Sequence, residues 1–411
     1  MREERKVSGE LPFECELLSG ENCFSPRGED IIFVSPSVRR KRSEVARLLG
    51  SIGRVSSDAE LFFELCRRPV LAVSGSDGKS TTVKMAEAIL MQVNTNALAC
   101  GNVGLPFIKG LCSSAECFVT ELSSFTLEYL RPPSRRAVIT NITENHLDWH
   151  GSYERYVAAK ENLLKNTDEA ILSPDTEACI PLIRKYKPWG IFSDRQGFRE
   201  LMRSYPYAET LFTLDDGYLS KNGKPLIALS KLSRKEPHNV KNALAAIALT
   251  YGLFNTGGGI EALSRFSGLS HRMETVAVTG GVTYVDSSID STPERTRATL
   301  LAMPRQVTVL LGGRGKGLSY EPLIEPLLAK SGDIIIFGEN RAEIYEALLK
   351  SPPLLTRILL AETLAEAVSI AKSRARSGDT VLLSPASTSY DAFSDFEERG
   401  NKFKEYVNSE G

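Results

Sequence analysis

A glycine-rich segment, GSDGKSTT at residues 75–82, carries residue types that bind nucleotide phosphates. It follows a short apolar run at 70–73 and precedes a stretch of helical periodicity that begins near Lys79. Two glycines let the backbone curl so that several N–H groups and the helix amino terminus face one anion, while Lys79 adds positive charge. Ser80 or Thr81 offers a hydroxyl to Mg²⁺. The segment predicts a phosphate-binding loop, although a helix terminus that happens to carry glycines and a lysine has the same form.

Candidate metal ligands follow the next predicted strands. Glu121 closes the run 117–121, at the strand end where α/β sheets bind ligands, and a carboxylate beside a triphosphate is a natural Mg²⁺ ligand. His146 lies in the loop after the following strand. Residue type leaves both open, because Glu121 could be solvated and His146 could be a packed or surface residue. For Lys160, on a predicted helix, periodicity alone indicates a solvated charge.

Two amides start another predicted helix. Asn239 and Asn242 lie three residues apart, on one helix face. Amides in this arrangement can read the polar edge of a base. N-terminal capping explains one of them equally well.

Alternating strands and helices must position these residues. Short β-branched runs bounded by Gly, Asp or Pro alternate with longer stretches of helical period, which is typical of βαβ units around a parallel sheet. The predicted strands are 30–34, 70–73, 117–121, 137–141, 307–311, 333–337 and 380–383. The predicted helices are 79–91, 152–165, 239–251, 293–302, 341–349 and 364–375. We interpret 194–222 as loops and small strands, and we expect a strand hairpin around Gly280 and Gly281.

Length and composition favour several compact domains. The 411 residues correspond to roughly two or three domains. Composition changes near residues 68 and 268 predict domains at 1–68, 69–268 and 269–411.

Charge and cysteine content exclude several classes of protein. Fifty Lys and Arg against 51 Asp and Glu give a formal charge of -1, so we expect neither nucleic acid nor membrane as a partner. Seven cysteines without a C-x-x-C pair indicate ordinary thiols in a reducing cytoplasm. The amino terminus lacks the apolar core of a signal peptide, and no apolar run reaches the ~20 residues of a membrane span. We therefore expect a cytoplasmic protein.

Together these motifs resemble those of the Mur ligases. The motifs are GSDGKSTT (75–82), GNVGLPF (101–107), ELSSFTLE (121–128), ITNITENHLDWHGSYERYVAAKENLL (139–164), HNVKNALAA (238–246), HRME (271–274), LGGRGKG (311–317) and LLSPASTSYDAFSDFEERGNKF (382–403). The first five are also similar to folylpolyglutamate synthetases and leave the substrate open. The last is similar to the D-glutamate-adding members of the family.

The resemblance implies an α/β protein of three domains. These are a shortened Rossmann-like amino-terminal domain that binds the UDP substrate, a central P-loop-type ATPase domain with a parallel sheet, and a Rossmann-like carboxyl-terminal domain. The implied reaction uses ATP to join D-glutamate to UDP-N-acetylmuramoyl-L-alanine through an acyl phosphate, in peptidoglycan precursor synthesis. A monomer is expected.

The resemblance also implies a role for individual residues. ATP would contact Gly75, Ser76, Asp77, Gly78, Lys79, Ser80, Thr81, Asn239, Asn242, Arg272 and Asp286. The substrates would contact Asn102, Ser123, His146, Ser291, Lys316, Ser389, Tyr390 and Phe396. Two Mg²⁺ ions would be held by Ser80, Glu121, His146 and a carbamylated Lys160, and the catalytic set would be Lys79, Glu121, His146 and Lys160.

The chain also departs from the family pattern. No G-x-G-x-S-G turn precedes Asp30, Ile289 stands where a lysine is frequent, and Arg314 stands where an acidic residue is frequent. Two alternatives therefore stay open. One is a glutamate ligase that acts on another carrier, as folylpolyglutamate synthetase does, and the other is a nucleotide-binding paralogue without catalysis.

Overall fold

The chain divides into two compact units, Met1–Phe266 and Ser267–Gly411. The computed structural model describes residues 31–35, 38, 54–303, 305–355 and 357–409. The division lies close to the boundary predicted near residue 268. Most of the predicted 1–68 domain lies outside the described residues, so the UDP-binding domain and the three-domain organisation stay predictions.

The first unit contains a nine-stranded sheet and a separate parallel pair. Its strands are β1 Ile31–Phe33, β2 Arg54–Ser56, β3 Val70–Ser74, β4 Ala97–Gly101, β5 Cys117–Glu121, β6 Ser134–Ile139, β7 Thr167–Leu172, β8 Gly190–Ser193, β9 Thr210–Asp215, β10 Tyr218–Lys221 and β11 Lys224–Ala228. The large sheet has the order β11-β10-β9-β8-β7-β6-β3-β5-β4. Strands β3 to β9 are parallel, and β10 and β11 extend the sheet as antiparallel strands.

Strand β3 lies between β5 and β6, so the chain reverses its direction of winding beside it. Ligands of open α/β sheets bind at the carboxyl ends of strands at such a switch point. Every residue of β3 and β5 is buried, as expected for parallel strands covered on both faces. Leu71 and Val73 pack into one apolar cluster, whereas Val70 and Ala72 pack into the other, because alternate side chains point to opposite faces.

Helices of the first unit cover the sheet. They are α1 Asp58–Leu65, α2 Lys79–Gln92, α3 Phe107–Leu111, α4 Ser124–Leu127, α5 Leu147–His150, α6 Tyr153–Glu161, α7 Cys179–Tyr186, α8 Phe198–Ser204 and α9 Pro237–Thr250, with 3-10 turns at Asn162–Asn166, Leu229–Lys231 and Thr256–Ser264. Ser57 and Ser152 cap α1 and α6 with their side chains, whereas α2 begins at Gly78 without a side-chain cap. The first N–H groups of α2 therefore remain available to an anion.

The second unit contains a six-stranded sheet of order β12-β13-β17-β14-β15-β16. Its strands are β12 Glu274–Thr279, β13 Val282–Asp286, β14 Val307–Gly312, β15 Ser331–Phe337, β16 Ile358–Leu360 and β17 Thr380–Leu383. Its helices are α10 Pro293–Ala302, α11 Ile324–Lys330, α12 Arg341–Leu348, α13 Pro352–Leu355, α14 Leu364–Arg374 and α15 Phe396–Asn408, with a 3-10 turn at Glu321–Leu323. All neighbours are parallel except β12 and β13, which form the hairpin predicted at Gly280 and Gly281.

The α/β class and all seven predicted strands are confirmed, with shifts of a few residues at their ends. The interpretation of 194–222 as loops and small strands is confirmed for two short strands, but it missed a helix. This segment contains helix α8, and it contributes β9 and β10 to the main sheet. The predicted helix 152–165 stops at Glu161 and continues as a 3-10 turn. Within the described residues, none of the helices combines the length and the hydropathy that a membrane crossing requires.

Candidate active site

The glycine loop lies between β3 and α2, as predicted, and two of its residues must be glycine. Gly75 has a φ of +150°, and a Cβ there would lie 1.9 Å from Thr140 Oγ1. Gly78 has a φ of +78°, and a Cβ there would lie 2.1 Å from Asn242 Oδ1. Both backbone conformation and close approach therefore exclude a side chain.

Residues after β6 fix the shape of this loop. Backbone N–H of Ser76 donates to Asn141 O at 3.0 Å, and that of Asp77 donates to Asn141 Oδ1 at 2.9 Å. Thr140 Oγ1 donates to Asp77 O at 2.6 Å. Sequence reasoning did not single out Thr140 and Asn141, although a polar pair at the end of an apolar run was a usable signal.

Lys79 and Ser80 begin helix α2 at the mouth of the loop. Lys79 Nζ donates to Ser76 O at 2.8 Å, so its charge lies over the loop. Ser80 Oγ donates to Glu121 Oε2 at 2.6 Å. Glu121 is the last residue of β5 and is buried. A hydroxyl and a carboxylate thus lie side by side, and both are hard oxygen donors of the kind that Mg²⁺ prefers. Thr81, on the same helical turn, is half-buried.

Lys160 lies inside the protein, so the solvated position indicated by periodicity is wrong. Only 1% of its surface is exposed, and Nζ donates to Gly75 O at 2.6 Å. Burial lowers the pKa of this amine well below its ordinary value, and the charge of Lys79 lowers it further. The charges of Asp77 and Glu121 act in the opposite direction and raise the pKa. On the same helix, Tyr156 OH lies 2.7 Å from Ser76 Oγ. Helix α6 is therefore attached to the loop through two side chains.

His146 is exposed and adopts a φ of +52° just before α5. Its ring lies 4.8 Å from that of Phe125, measured between centroids. Partial desolvation lowers the pKa of His146, and the charges of Lys160 and Lys79 add to this effect while Asp148 opposes it. The imidazole therefore stands within electrostatic reach of both lysines, and these surroundings favour its neutral form.

Neither asparagine of α9 caps the helix, so that alternative is wrong. Glu236 occupies the cap position, and Asn239 Nδ2 donates to its Oε2 at 2.9 Å. Asn242 is buried and faces Gly78. Of the two amides, Asn242 is therefore the one that contacts the phosphate loop.

Two predicted substrate residues flank Glu121. Asn102 is exposed, and its backbone N–H donates to Glu121 O at 3.2 Å. Ser123 caps α4, accepting from Thr126 N at 3.1 Å. The structure thus brings Asn102, Ser123 and the predicted metal ligand Glu121 to one edge of the sheet.

In the second unit, hydrogen bonds join three segments that carry residues predicted to bind the amino acid. Lys316 Nζ donates to Ser291 Oγ at 3.3 Å. Backbone hydrogen bonds between Arg314 and Thr388, at 2.9 and 3.0 Å, tie the Lys316 loop to the segment that follows β17. That segment carries buried Ser389 and then Tyr390, which is 61% exposed.

The remaining predicted residues of this unit lie around a buried pair. Asp286 is completely buried, with Oδ2 2.7 Å from His271 Nδ1 and Oδ1 accepting from Ser288 N at 2.8 Å. Its carboxylate is engaged inside the unit, and its contact with ATP stays a prediction. Phe396 packs against His271, with ring centroids 6.1 Å apart, and Arg272 is exposed.

A phosphate loop after a parallel strand, with a serine and a glutamate paired beside it, defines a nucleotide-binding α/β protein. Two family models match the chain, the Mur ligase middle domain at residues 73–250 and the Mur ligase glutamate ligase domain at residues 271–387. The chain belongs to the Mur ligase family, whose members use ATP and Mg²⁺ in general.

Named relatives cover nearly the whole chain. The UDP-N-acetylmuramoylalanine--D-glutamate ligase of Ruminiclostridium cellulolyticum is 33% identical over 93% of this chain and 83% of its own length. The enzyme of the same name from Clostridium novyi is 33% identical over 96% of this chain and 86% of its own length.

Solved structures share the fold at lower identity. The UDP-N-acetylmuramate-alanine ligase from Thermotoga maritima is 21% identical with a TM-score of 0.59, covering 92% of this chain and 84% of that chain. MurF from Acinetobacter baumannii is 19% identical with a TM-score of 0.58, covering 85% of this chain and 79% of that chain.

Proposed function

We propose that this chain is an ATP-dependent ligase that joins D-glutamate to UDP-N-acetylmuramoyl-L-alanine in peptidoglycan precursor synthesis. The observation that carries the reaction type is the Ser80 and Glu121 pair beside the phosphate loop, with Lys79 over it, in a chain of the Mur ligase family. The substrates follow from the relatives' names, which apply to proteins 33% identical over more than nine-tenths of this chain.

The donor set fits Mg²⁺. Ser80 and Glu121 would hold one ion, and His146 with Lys160 would hold a second if the lysine carries a carbamate. Lys160 supports this, because burial favours its neutral amine, and only a neutral amine adds CO₂. Bound Mg²⁺ would neutralise charge on the phosphates of ATP and on the carboxylate oxygen that receives the γ-phosphoryl group.

In the first step, the acceptor carboxylate attacks the γ-phosphorus of ATP, and ADP leaves. Two anions must meet, so the protein must position them and offset their charge. Lys79 and the uncapped N–H groups at the start of α2 would hold the phosphates. Asn242, packed on Gly78, would keep α9 against this loop while Asn239 holds the nucleotide. Asn102, Ser123 and His146 would hold the acceptor.

In the second step, the neutral amine of D-glutamate attacks the acyl carbon, an amide forms, and phosphate leaves. Lys316 and Ser291, hydrogen-bonded to each other, would hold the amino acid through its carboxylates. Ser389, Tyr390 and Phe396 would enclose it. The shortened amino-terminal domain would bind the UDP moiety, and we propose that the enzyme acts as a monomer.

The test is phosphate release by the purified protein with ATP, Mg²⁺ and UDP-N-acetylmuramoyl-L-alanine, with and without D-glutamate. We expect release that requires both substrates. Activity with a folate acceptor and L-glutamate instead would favour the folylpolyglutamate synthetase-like alternative. ATP binding without release by any acceptor would favour the paralogue without catalysis.

A further inference from the structure

Two cationic side chains from different elements contact the loop between β13 and α10. Lys316 Nζ donates to Ser291 Oγ at 3.3 Å, and Arg295 Nη1 donates to Ile289 O at 3.1 Å. Backbone N–H of Ser291 donates to the same Ile289 carbonyl at 2.8 Å. Both positively charged groups therefore contact the short segment 289–291, where we expect the amino-acid substrate to bind.

Arg295 stands where helix electrostatics disfavours it. Thr292 caps α10, so Arg295 is the third residue of the helix, in its first turn. The amino end of a helix carries a partial positive charge, which stabilises anions and destabilises cations. The one acidic residue of this turn, Glu294, is paired with Arg297 at 3.3 Å. A cation at position 295 is thus not explained by the stability of the helix.

The guanidinium of Arg295 also retains binding capacity. It is exposed, and in the described part of the chain it makes one hydrogen bond and no ion pair. A guanidinium has five N–H donors and can bind a carboxylate through two of them. Arg295 can therefore keep its bond to Ile289 and still accept an anion.

Another arginine near Lys316 is excluded by its position. Burial lowers the pKa of Lys316, and the charges of Arg295 and Arg399 lower it further, so both guanidinium groups lie near the amine. Arg399 is completely buried, and its Nη2 donates to Ser288 O and Ser387 O. It cannot touch a substrate, whereas Arg295 can.

We propose that Arg295 binds the amino-acid substrate directly, so that Lys316 and Arg295 hold one carboxylate of D-glutamate each. A dicarboxylate needs two cationic partners, and this loop places two of them together with the positive end of α10. The inference rests on the proposed function, because it names a further residue of the same site.

The test is steady-state kinetics of Arg295→Gln, a variant that keeps one N–H donor toward Ile289. We expect the KM for D-glutamate to rise about 10- to 100-fold, the loss typical of a hydrogen bond to a charged group. The KM values for ATP and for UDP-N-acetylmuramoyl-L-alanine should stay within about twofold, and Arg295→Lys should recover part of the affinity because it restores the charge.

Arg297→Gln is the matched control, since it removes an arginine two residues away that is paired with Glu294. It should leave the KM for D-glutamate unchanged. Thermal stability separates binding from a structural role, because Arg295→Gln should melt at the same temperature as the wild type or higher. An active wild type with an unchanged KM in Arg295→Gln overturns this inference alone, as does a rise in all three KM values. A wild type without D-glutamate-dependent phosphate release overturns the proposed function as well.

Discussion

Arg136 is a buried arginine that anchors the far end of α9, and its removal should destabilise the first unit strongly. It lies on β6, and its side chain is 3% exposed. Nη1 donates to the carbonyls of Ala248, Leu249 and Tyr251 at 3.2, 3.3 and 2.8 Å, at the end of α9. Burial lowers the pKa of Arg136, whereas its hydrogen bond and ion pair with Glu169 raise it. Because α9 also carries Asn239 and Asn242, this anchor holds the helix that contacts the phosphate loop.

The magnitude follows from what Arg136→Met would leave behind. The carboxylate of Glu169 is 17% exposed; it would lose Arg136, whose Nε lies 2.7 Å away, and keep its second partner, Arg135. Breaking a buried ion pair by removing one member costs about 3–5 kcal/mol, and unpaired buried carbonyls cost about 1–3 kcal/mol each. Glu169 keeps Arg135 as a partner and water can reach part of it, so we count only the three carbonyls and expect the free energy of unfolding to fall by at least about 3 kcal/mol.

The assay is urea unfolding followed by tryptophan fluorescence. Both tryptophans, Trp149 and Trp189, belong to the first unit, so the signal reports the unfolding of that unit. The Arg136 guanidinium lies over the ring of Trp189, with its central carbon, Cζ, 4.1 Å from the ring centroid. The matched control is Arg135→Met, because the Arg135 side chain is 44% exposed and pairs with Asp168 and Glu169 at the surface. Exposed pairs contribute about 0.2–1 kcal/mol. Equal losses in the two variants would refute the reasoning.

Three further predictions concern the site. Gly78→Ala should reduce phosphate release at least about 100-fold, because its methyl group would meet Asn242 at a left-handed φ. The control Gly252→Ala should retain activity, because no atom lies within 4 Å of the added methyl group. Equal activities of the two variants would contradict the assignment of the phosphate loop. Glu121→Gln should lose activity and regain part of it at high Mg²⁺, measured by phosphate release against Mg²⁺ concentration. Lowering the pH protonates Lys160 and so removes the neutral amine that adds CO₂. Activity should therefore fall at mildly acid pH and return when bicarbonate is added. A pH profile of activity that bicarbonate does not change would contradict the proposed carbamate.

Local sequence was sufficient for the parts of the site that depend on neighbouring residues. The strand, the glycine turn and the helix start of residues 70–82 are adjacent in sequence, and their order alone predicts a phosphate loop. Glu121 was found in the same way, since an acidic residue at the end of an apolar run must lie at the sheet edge. The resemblance to a family added the substrates, which residue types could not supply.

Local sequence patterns did not predict the burial of Lys160 or every element of segment 194–222. Periodicity placed Lys160 in solvent, but its amine bonds to Gly75, 85 residues earlier in the chain. A helical pattern shows which residues share a face and not which face packs on a neighbour. In segment 194–222 the small strands were predicted but helix α8 was not, because its seven residues are too few for a helical period to stand out.

The sequence by itself determined the α/β class, the phosphate loop and the residue types that could bind Mg²⁺ and ATP, because each depends on local backbone preference or on side-chain chemistry. Tertiary structure decided which of these groups meet. It paired Ser80 with Glu121, buried Lys160 beside Gly75, engaged Asp286 with His271, and brought the side chains of Arg295 and Lys316 to the same short segment, 289–291. Such pairings depend on strand order and on the packing of segments far apart in the chain, which no local pattern encodes.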